Sequence, residues 1–188
     1  MFTHAPRYNG AMRPRNTRKL PTRWLFTDER MEADLDAALT KLRRGDGVVF
    51  RHYGAPNREA LARRVARIAK RSGLVLVVAG DDKLSRRLGA AGTHMPGFAR
   101  QHRPLTAAAH GHADIVRARR AGAQLVFLSP IFRTRSHADA KTLGPVRFGL
   151  IARGAGVAVA GLGGMNAARF SSLRQVGAKA WGAIDAFS

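Results

Sequence analysis

The chain contains no cysteine, which removes disulfide staples, thiolate zinc sites and cysteine nucleophiles at once. No apolar run approaches the ~18 residues that a membrane span needs, so no membrane partner is expected. The first twenty residues lack the apolar centre of a secretory signal, and cytoplasmic residence is the expectation. Acidic side chains are few: 12 stand against 33 lysines and arginines, for a formal charge of +21. Lysine is scarce too, being confined to Lys19, Lys41, Lys70, Lys83, Lys141 and Lys179, so the excess is arginine, beside abundant alanine and glycine. Compositional bias of a genome produces such a balance as readily as a polyanionic partner does. Its physical consequence is nonspecific attraction for polyanions at low salt and faster encounter with phosphorylated ligands. Aromatic residues do not interleave with these cations as single-strand binding would want.

What is present reads as one globular domain. With 188 residues, 45% of them apolar, the chain can bury a substantial core. Residues 1–21, with Pro6, Gly10, Pro14, Pro21 and scattered arginines, show no period and are expected to form a flexible basic arm ahead of a single domain over 22–188. From Arg23 a strand–helix alternation begins. Strands are predicted at Trp24–Phe26, Val48–Phe50, Leu74–Ala79, Gly92–Met95, Pro104–Ala108, Gln124–Leu128, Gly156–Ala160 and Ala180–Ile184. Helices are predicted over Asp28–Arg44, from an Asn57 cap to Lys70, and over Asp82–Leu88, Gly111–Ala121, Thr142–Arg153 and Asn166–Val176. Only Pro96–Arg103 separates the fourth and fifth strands, so a shortened or missing helix is expected there. Eight such units argue for a closed parallel barrel, the (β/α)₈ or TIM barrel, in a compact, truncated form; an open doubly wound sheet is the alternative.

The segment Val157–Asn166 carries the clearest chemical signal. It reads as a buried strand running into the turn Gly161-Leu162-Gly163-Gly164, with Asn166 placed to cap the next helix. Such a turn bares backbone N–H groups beside a helix N-terminus and suits a phosphate. Only 22 residues follow Asn166, too few for a dinucleotide fold that opens on its glycine fingerprint. A glycine turn on the next-to-last strand fits the phosphate site of a barrel instead.

Barrel chemistry sits at the C-terminal strand ends. Here these carry Thr27-Asp28, Arg51-His52-Tyr53, Gly80-Asp81-Asp82, His94-Met95, Ala109-His110, Ser129-Pro130, Gly163-Gly164 and Asp185. His94 and His110 end neighbouring strands, but no spacing fixes a metal set around them. The loop from Ile131 to His137 alternates hydroxyls and cations, and Arg133, Arg135 and Ser136 are expected to clamp an oxyanion. A solvated basic loop is the alternative.

The order of Arg51, Asp81, Gly92-Thr93-His94, Ala108-Ala109-His110, Ala121-Gly122-Ala123, Ser129-Pro130-Ile131-Phe132-Arg133-Thr134, Gly163-Gly164-Met165 and Gly177-Ala178 resembles the thiamine phosphate synthase and thiazole tautomerase (TenI-like) family, from about Trp24 onward. The resemblance implies a (β/α)₈ barrel. It also implies a transferase of thiamine biosynthesis, which joins hydroxymethylpyrimidine pyrophosphate to thiazole phosphate with Mg²⁺ and releases pyrophosphate. By position, Arg51 matches the arginine facing the pyrophosphate and Thr134 the first threonine of the sixth loop. Gly163 and Gly164 match the pair whose backbone holds the thiazole phosphate, and His110 matches a histidine after the fifth strand. His137 stands where the family has a pyrophosphate-binding lysine, beside Ser136 in place of a second threonine.

Other positions depart from the family. Asp81 is the remaining carboxylate near the Mg²⁺ position of the third strand, Met95-Pro96-Gly97-Phe98 replaces a segment ending in a second metal acid, and Asp185 replaces a small serine beside the phosphate. Three readings follow. The chain is a synthase-like enzyme with a degenerate site, a non-catalytic relative that binds a phosphorylated or thiamine-related ligand, or a basic nucleic-acid-associated protein. Association into homo-oligomers is compatible with each.

Overall fold

The computed structural model describes residues 19–31, 33–96, 105–134 and 141–187. Eight parallel strands close in sequence order: β1 (Arg23–Phe26), β2 (Gly47–Phe50), β3 (Val75–Ala79), β4 (Gly92–Met95), β5 (Thr106–Ala109), β6 (Leu125–Leu128), β7 (Ala158–Gly161) and β8 (Ala180–Ala183), with β8 pairing back to β1. The helices are α1 (Leu35–Thr40), α2 (Arg58–Ser72), α3 (Asp82–Arg87), α4 (His112–Arg120), α5 (Gly144–Arg153) and α6 (Ala167–Gln175). The expected barrel is therefore present. The stretch after β4, expected to be short of a helix, falls largely on residues 97–104, and most of the expected arm falls on residues 1–18; both lie outside the described residues. Leu20 and Pro21 already pack on the barrel, Pro21 lending its carbonyl to the Trp24 indole N–H at 2.7 Å.

Strand alternation builds two cores. Trp24, Phe26, Val49, Val77, Ala79, Leu125, Phe127, Ala160 and Ala180 face the barrel axis as one cluster. The intervening residues, such as Leu25, Val48, Phe50, Val78, Val126, Leu128 and Val159, point outward under the helices. Both strand faces are buried, which is why the strands read as apolar runs with no polar alternation. Each helix supplies a matching stripe; α2 buries Leu61, Ala62, Val65 and Ala69 and stops at Gly73, whose φ of 65° few other residues adopt readily.

The axis is filled by large rings opposite glycines. Phe127 meets Phe26 edge-on at 4.7 Å and Trp24 at 5.7 Å between ring centroids. Trp24 pairs in register with Gly47, and a β-carbon there would lie inside the indole; one at Gly182 would come within 2.6 Å of Phe26.

One element differs from expectation. The predicted helix over Asp28–Arg44 is broken into a 3-10 turn at Glu29–Met31 followed by the short α1. The cause is local. The Asp28 carbonyl accepts from Met31 and the Met31 carbonyl from Asp34, three-residue spacings that tighten the chain. The Asp28 carboxylate meanwhile takes the Arg30 N–H and guanidinium.

Candidate active site

The strands deliver their C-terminal ends to one cavity of about 700 Å³. Its floor is formed by Phe26 and His94, and its wall by Arg51, Tyr53, His110, Asp114, Arg117, Thr134, Gly163, Gly164 and Asp185. Five residues expected in the site, Arg51, His110, Thr134, Gly163 and Gly164, thus share one space. Arg133 is adjacent through its backbone, and Asp81 is not part of the wall. Arg135, Ser136 and His137 lie outside the described residues.

Arg51, just after β2, is held on three sides. Its backbone N–H donates to the Thr27 hydroxyl (3.1 Å), its Nε to the Thr27 carbonyl (3.1 Å), and a terminal nitrogen meets Asp28 Oδ2 at 3.2 Å. The guanidinium lies 5.5 Å from the Phe26 ring centre, a favourable cation–π position. Burial lowers its pKa, opposed by the Asp28 charge, and a guanidinium still remains a cation at neutral pH. For Asp28, burial pulls the carboxyl up, but hydrogen bonds from Arg30 and the charges of Arg30 and Arg51 outweigh it and hold the pKa below its ordinary value.

His110 follows β5. Its Nδ1 stands 3.0 Å from the Ser129 carbonyl; a carbonyl only accepts, so this bond makes Nδ1 the donor and leaves Nε2 as the acceptor of the neutral ring. The His110 backbone N–H donates to Asp114 (2.7 Å), which also accepts from Arg117 (2.7 Å). Asp114 and Arg117, in α4, were missed as site residues in the sequence. The signal was there: four residues after a strand-end histidine is one helical turn into the next helix.

His94 is buried, with Nδ1 2.9 Å from the Thr106 hydroxyl, and its ring lies edge-on to Phe26 at 5.5 Å. It belongs to the floor, whereas His110 is exposed on the wall.

The glycine turn follows β7 as expected. Gly163 and Gly164 have φ of 88° and 62°, and Asn166 caps α6 by accepting from the Arg169 N–H at 2.9 Å. The Arg169 guanidinium donates to the Gly164 carbonyl and stacks over Phe132. The sixth loop is bonded to this turn: the Ile131 N–H donates to the Leu162 carbonyl (3.0 Å) and the Phe132 N–H to the Gly163 carbonyl (3.1 Å). A β-carbon on Gly164 would press on the Arg133 carbonyl and reach 2.9 Å from Phe132 Cβ. Gly164→Ala is therefore expected to cost about 2 kcal/mol, from the left-handed backbone and the contact together. Calorimetry should show a melting point lower by about 4–8 °C; a shift below 1 °C would mean the turn relaxes freely.

The described carboxylates do not assemble a magnesium site. Asp81 caps α3, accepting from the Leu84 N–H at 2.8 Å, and its other oxygen faces Arg58 at 3.4 Å. Asp28 is shared between Arg30 and Arg51. Among the described residues no three His, Asp or Glu groups converge as metal ligands. Asp185 lies in a 3-10 turn beyond β8, exposed at the mouth; its charge adds slightly to the rise in the Arg30 pKa, which the hydrogen bond and charge of Asp28 chiefly cause.

A closed parallel barrel with a cavity at its C-terminal strand ends and a glycine turn after β7 defines a (β/α)₈ protein with its candidate site in the usual place for that fold. The chain belongs to the thiamine monophosphate synthase family, whose profile matches residues 24–187. Among solved structures it is similar to thiamine phosphate pyrophosphorylase from Pyrococcus furiosus, with 16% identity over 87% of this chain and 85% of that one, TM-score 0.73. It also resembles a native KDPGal structure (13% identity, 87% and 82% coverage, TM-score 0.59). A third likeness is to a cube-shaped protein cage designed by fusing symmetric oligomeric domains (14% identity, 88% and 63% coverage, TM-score 0.62). At these identities the likeness shows the barrel fold. The search of curated protein sequences found no match. No helix among the described residues is long and apolar enough to cross a membrane.

Proposed function

We propose that the cavity binds the phosphorylated substrates of thiamine phosphate synthesis and is built to couple hydroxymethylpyrimidine pyrophosphate with thiazole phosphate. The observation that carries this is the convergence of Arg51, His110, Thr134, Gly163 and Gly164 on one cavity. Thiazole phosphate would sit on the glycine turn, its phosphate met by backbone N–H groups at the start of α6. The pyrimidine pyrophosphate would lie toward Arg51. As its C–O bond breaks, pyrophosphate leaves with the electron pair, and the thiazole nitrogen lone pair forms the new C–N bond to the pyrimidine methylene. Arg51, already fixed by Thr27 and Asp28, needs no reorganisation to meet the charge growing on the leaving group. Arg133, Arg135, Ser136 and His137 of the sixth loop would complete the clamp, and Nε2 of His110 is the acceptor facing the substrates.

The test is a coupling assay with both substrates and Mg²⁺, scored for thiamine phosphate. Arg51→Ala is expected to lower kcat/KM about 100-fold, the scale of a lost charge-assisted contact to a developing anion. No product at high enzyme concentration would refute coupling.

A second reading, a non-catalytic member that keeps ligand binding, is favoured by Asp28 and Asp81, both engaged by arginines. It expects thermal stabilisation by thiamine phosphate or either precursor without turnover. Stabilisation by none of the three would remove it.

A further inference from the structure

The barrel confines nearly all its described acids to one end, while cations stand at both. Every described acid except Asp46 lies in a loop after a strand or in the first turn of the helix that follows, on the cavity side. Helices run back against the strands, so they end at the opposite face, and there the cations collect. Arg43 and Arg44 follow α1, Lys70 and Arg71 end α2, Arg86 and Arg87 end α3, Arg119 and Arg120 end α4, Arg153 ends α5 and Arg174 ends α6, all exposed. The Gly45 N–H bonds the Gly73 carbonyl at 3.0 Å, joining the loops after α1 and α2 into one patch. Among the described residues the one acid at this end is Asp46, and Arg23 occupies it.

Helix dipoles account for part of this placement, since cations are favoured at helix C-termini. A dipole needs about one cation per helix end, and it gives no reason for omitting acids from the connecting loops. Nor does composition, which sets how many arginines there are and not where they stand. Among the described residues the face also lacks the apolar centre with large anchors that a protein interface uses: of their exposed large hydrophobics only Val176 lies at this end, whereas Val146 and Leu150 are on the flank of α5 and Tyr53 is at the cavity. A broad cationic rim with neither apolar centre nor stacking aromatics matches a regularly spaced line of phosphates.

We propose that the face opposite the cavity is a binding surface for the phosphate backbone of double-stranded nucleic acid, read by charge and not by base sequence. It is independent of the cavity and of the coupling reaction.

The experiment measures binding of a fluorescent 20-base-pair DNA duplex to the full chain by anisotropy between 50 and 200 mM salt. Two triple variants of equal net charge are compared: Arg43→Gln/Arg71→Gln/Arg120→Gln on the rim, and Arg63→Gln/Lys83→Gln/Arg147→Gln elsewhere. The rim variant is expected to bind at least tenfold more weakly, with a salt slope smaller by about 2–3 as its phosphate contacts are lost. The control should change less than threefold, and ligand binding in the cavity should be unchanged in both. Equal weakening in the two would overturn the proposal in favour of net charge alone. Absence of duplex binding at 150 mM salt would overturn it as well. Tighter binding of poly-glutamate than of the duplex, lost in the rim variant, would make the surface a dock for an acidic protein and overturn it too.

Discussion

Stability should fall by about 3 kcal/mol between pH 6 and pH 4 through His94 alone, and His94→Asn should abolish that part of the loss. His94 is fully buried against Phe26 and Phe127 on the cavity floor. Burial, reinforced by the Arg51 charge, pushes its pKa from 6.5 down to about 3. Between those values the unfolded chain binds a proton that the folded chain refuses. Stability therefore rises with pH across this window at about 1.4 kcal/mol per unit, is complete above the unfolded value, and drains away as the pH drops toward the folded one. Asp28 acts in a separate range: its lowered pKa contributes stability that is lost only as the pH falls below the ordinary carboxylate region. Urea midpoints at pH 6, 5 and 4 separate the two. Parallel pH profiles for wild type and His94→Asn would refute the assignment.

Phe127→Ala is expected to remove about 3–5 kcal/mol, the range for emptying a buried aromatic site. The ring is the hinge of the interior, touching Trp24, Phe26 and His94 from the far side of the barrel. Its neighbours are short of alternatives, because Ala158, Ala160, Ala180 and Gly182 nearby cannot swing inward to refill the space. Chemical denaturation with an unchanged m-value would report the loss. A cost under about 1.5 kcal/mol would show that the wall collapses around the gap. Since Phe26 and His94 also floor the cavity, ligand affinity should fall in the same variant.

The strands were legible in the sequence because barrel strands are buried on both faces and their runs are interrupted by turn residues at short intervals. β2, β4 and β6 fall within a residue of expectation. The glycine turn and the Asn166 cap were legible for a related reason, being local: a few consecutive residues determine them. The segment after β1 was not. Its apolar spacing suits a long helix, and what breaks it is the Asp28 carboxylate, whose second partner, Arg51, lies 23 residues on. The site divides along the same line. Arg51, His110, Gly163 and Gly164 stand at strand ends and could be read off in order. The Arg51–Asp28, Arg58–Asp81 and His110–Ser129 contacts join separate strands, so no window of sequence holds both partners.

The pairing of large rings with glycines across the barrel axis has a consequence for how this interior can vary. Trp24 occupies the volume that Gly47 leaves vacant, and Phe26 that of Gly182. Enlarging either glycine alone costs the overpacking penalty, and shrinking either ring alone costs a void. Such sites are non-additive, so the low-cost route through sequence space changes both partners together. The floor beneath the cavity is in that sense inherited as a set of exchanges between strands, and a descendant with a larger residue at position 47 or 182 should carry a smaller one at position 24 or 26.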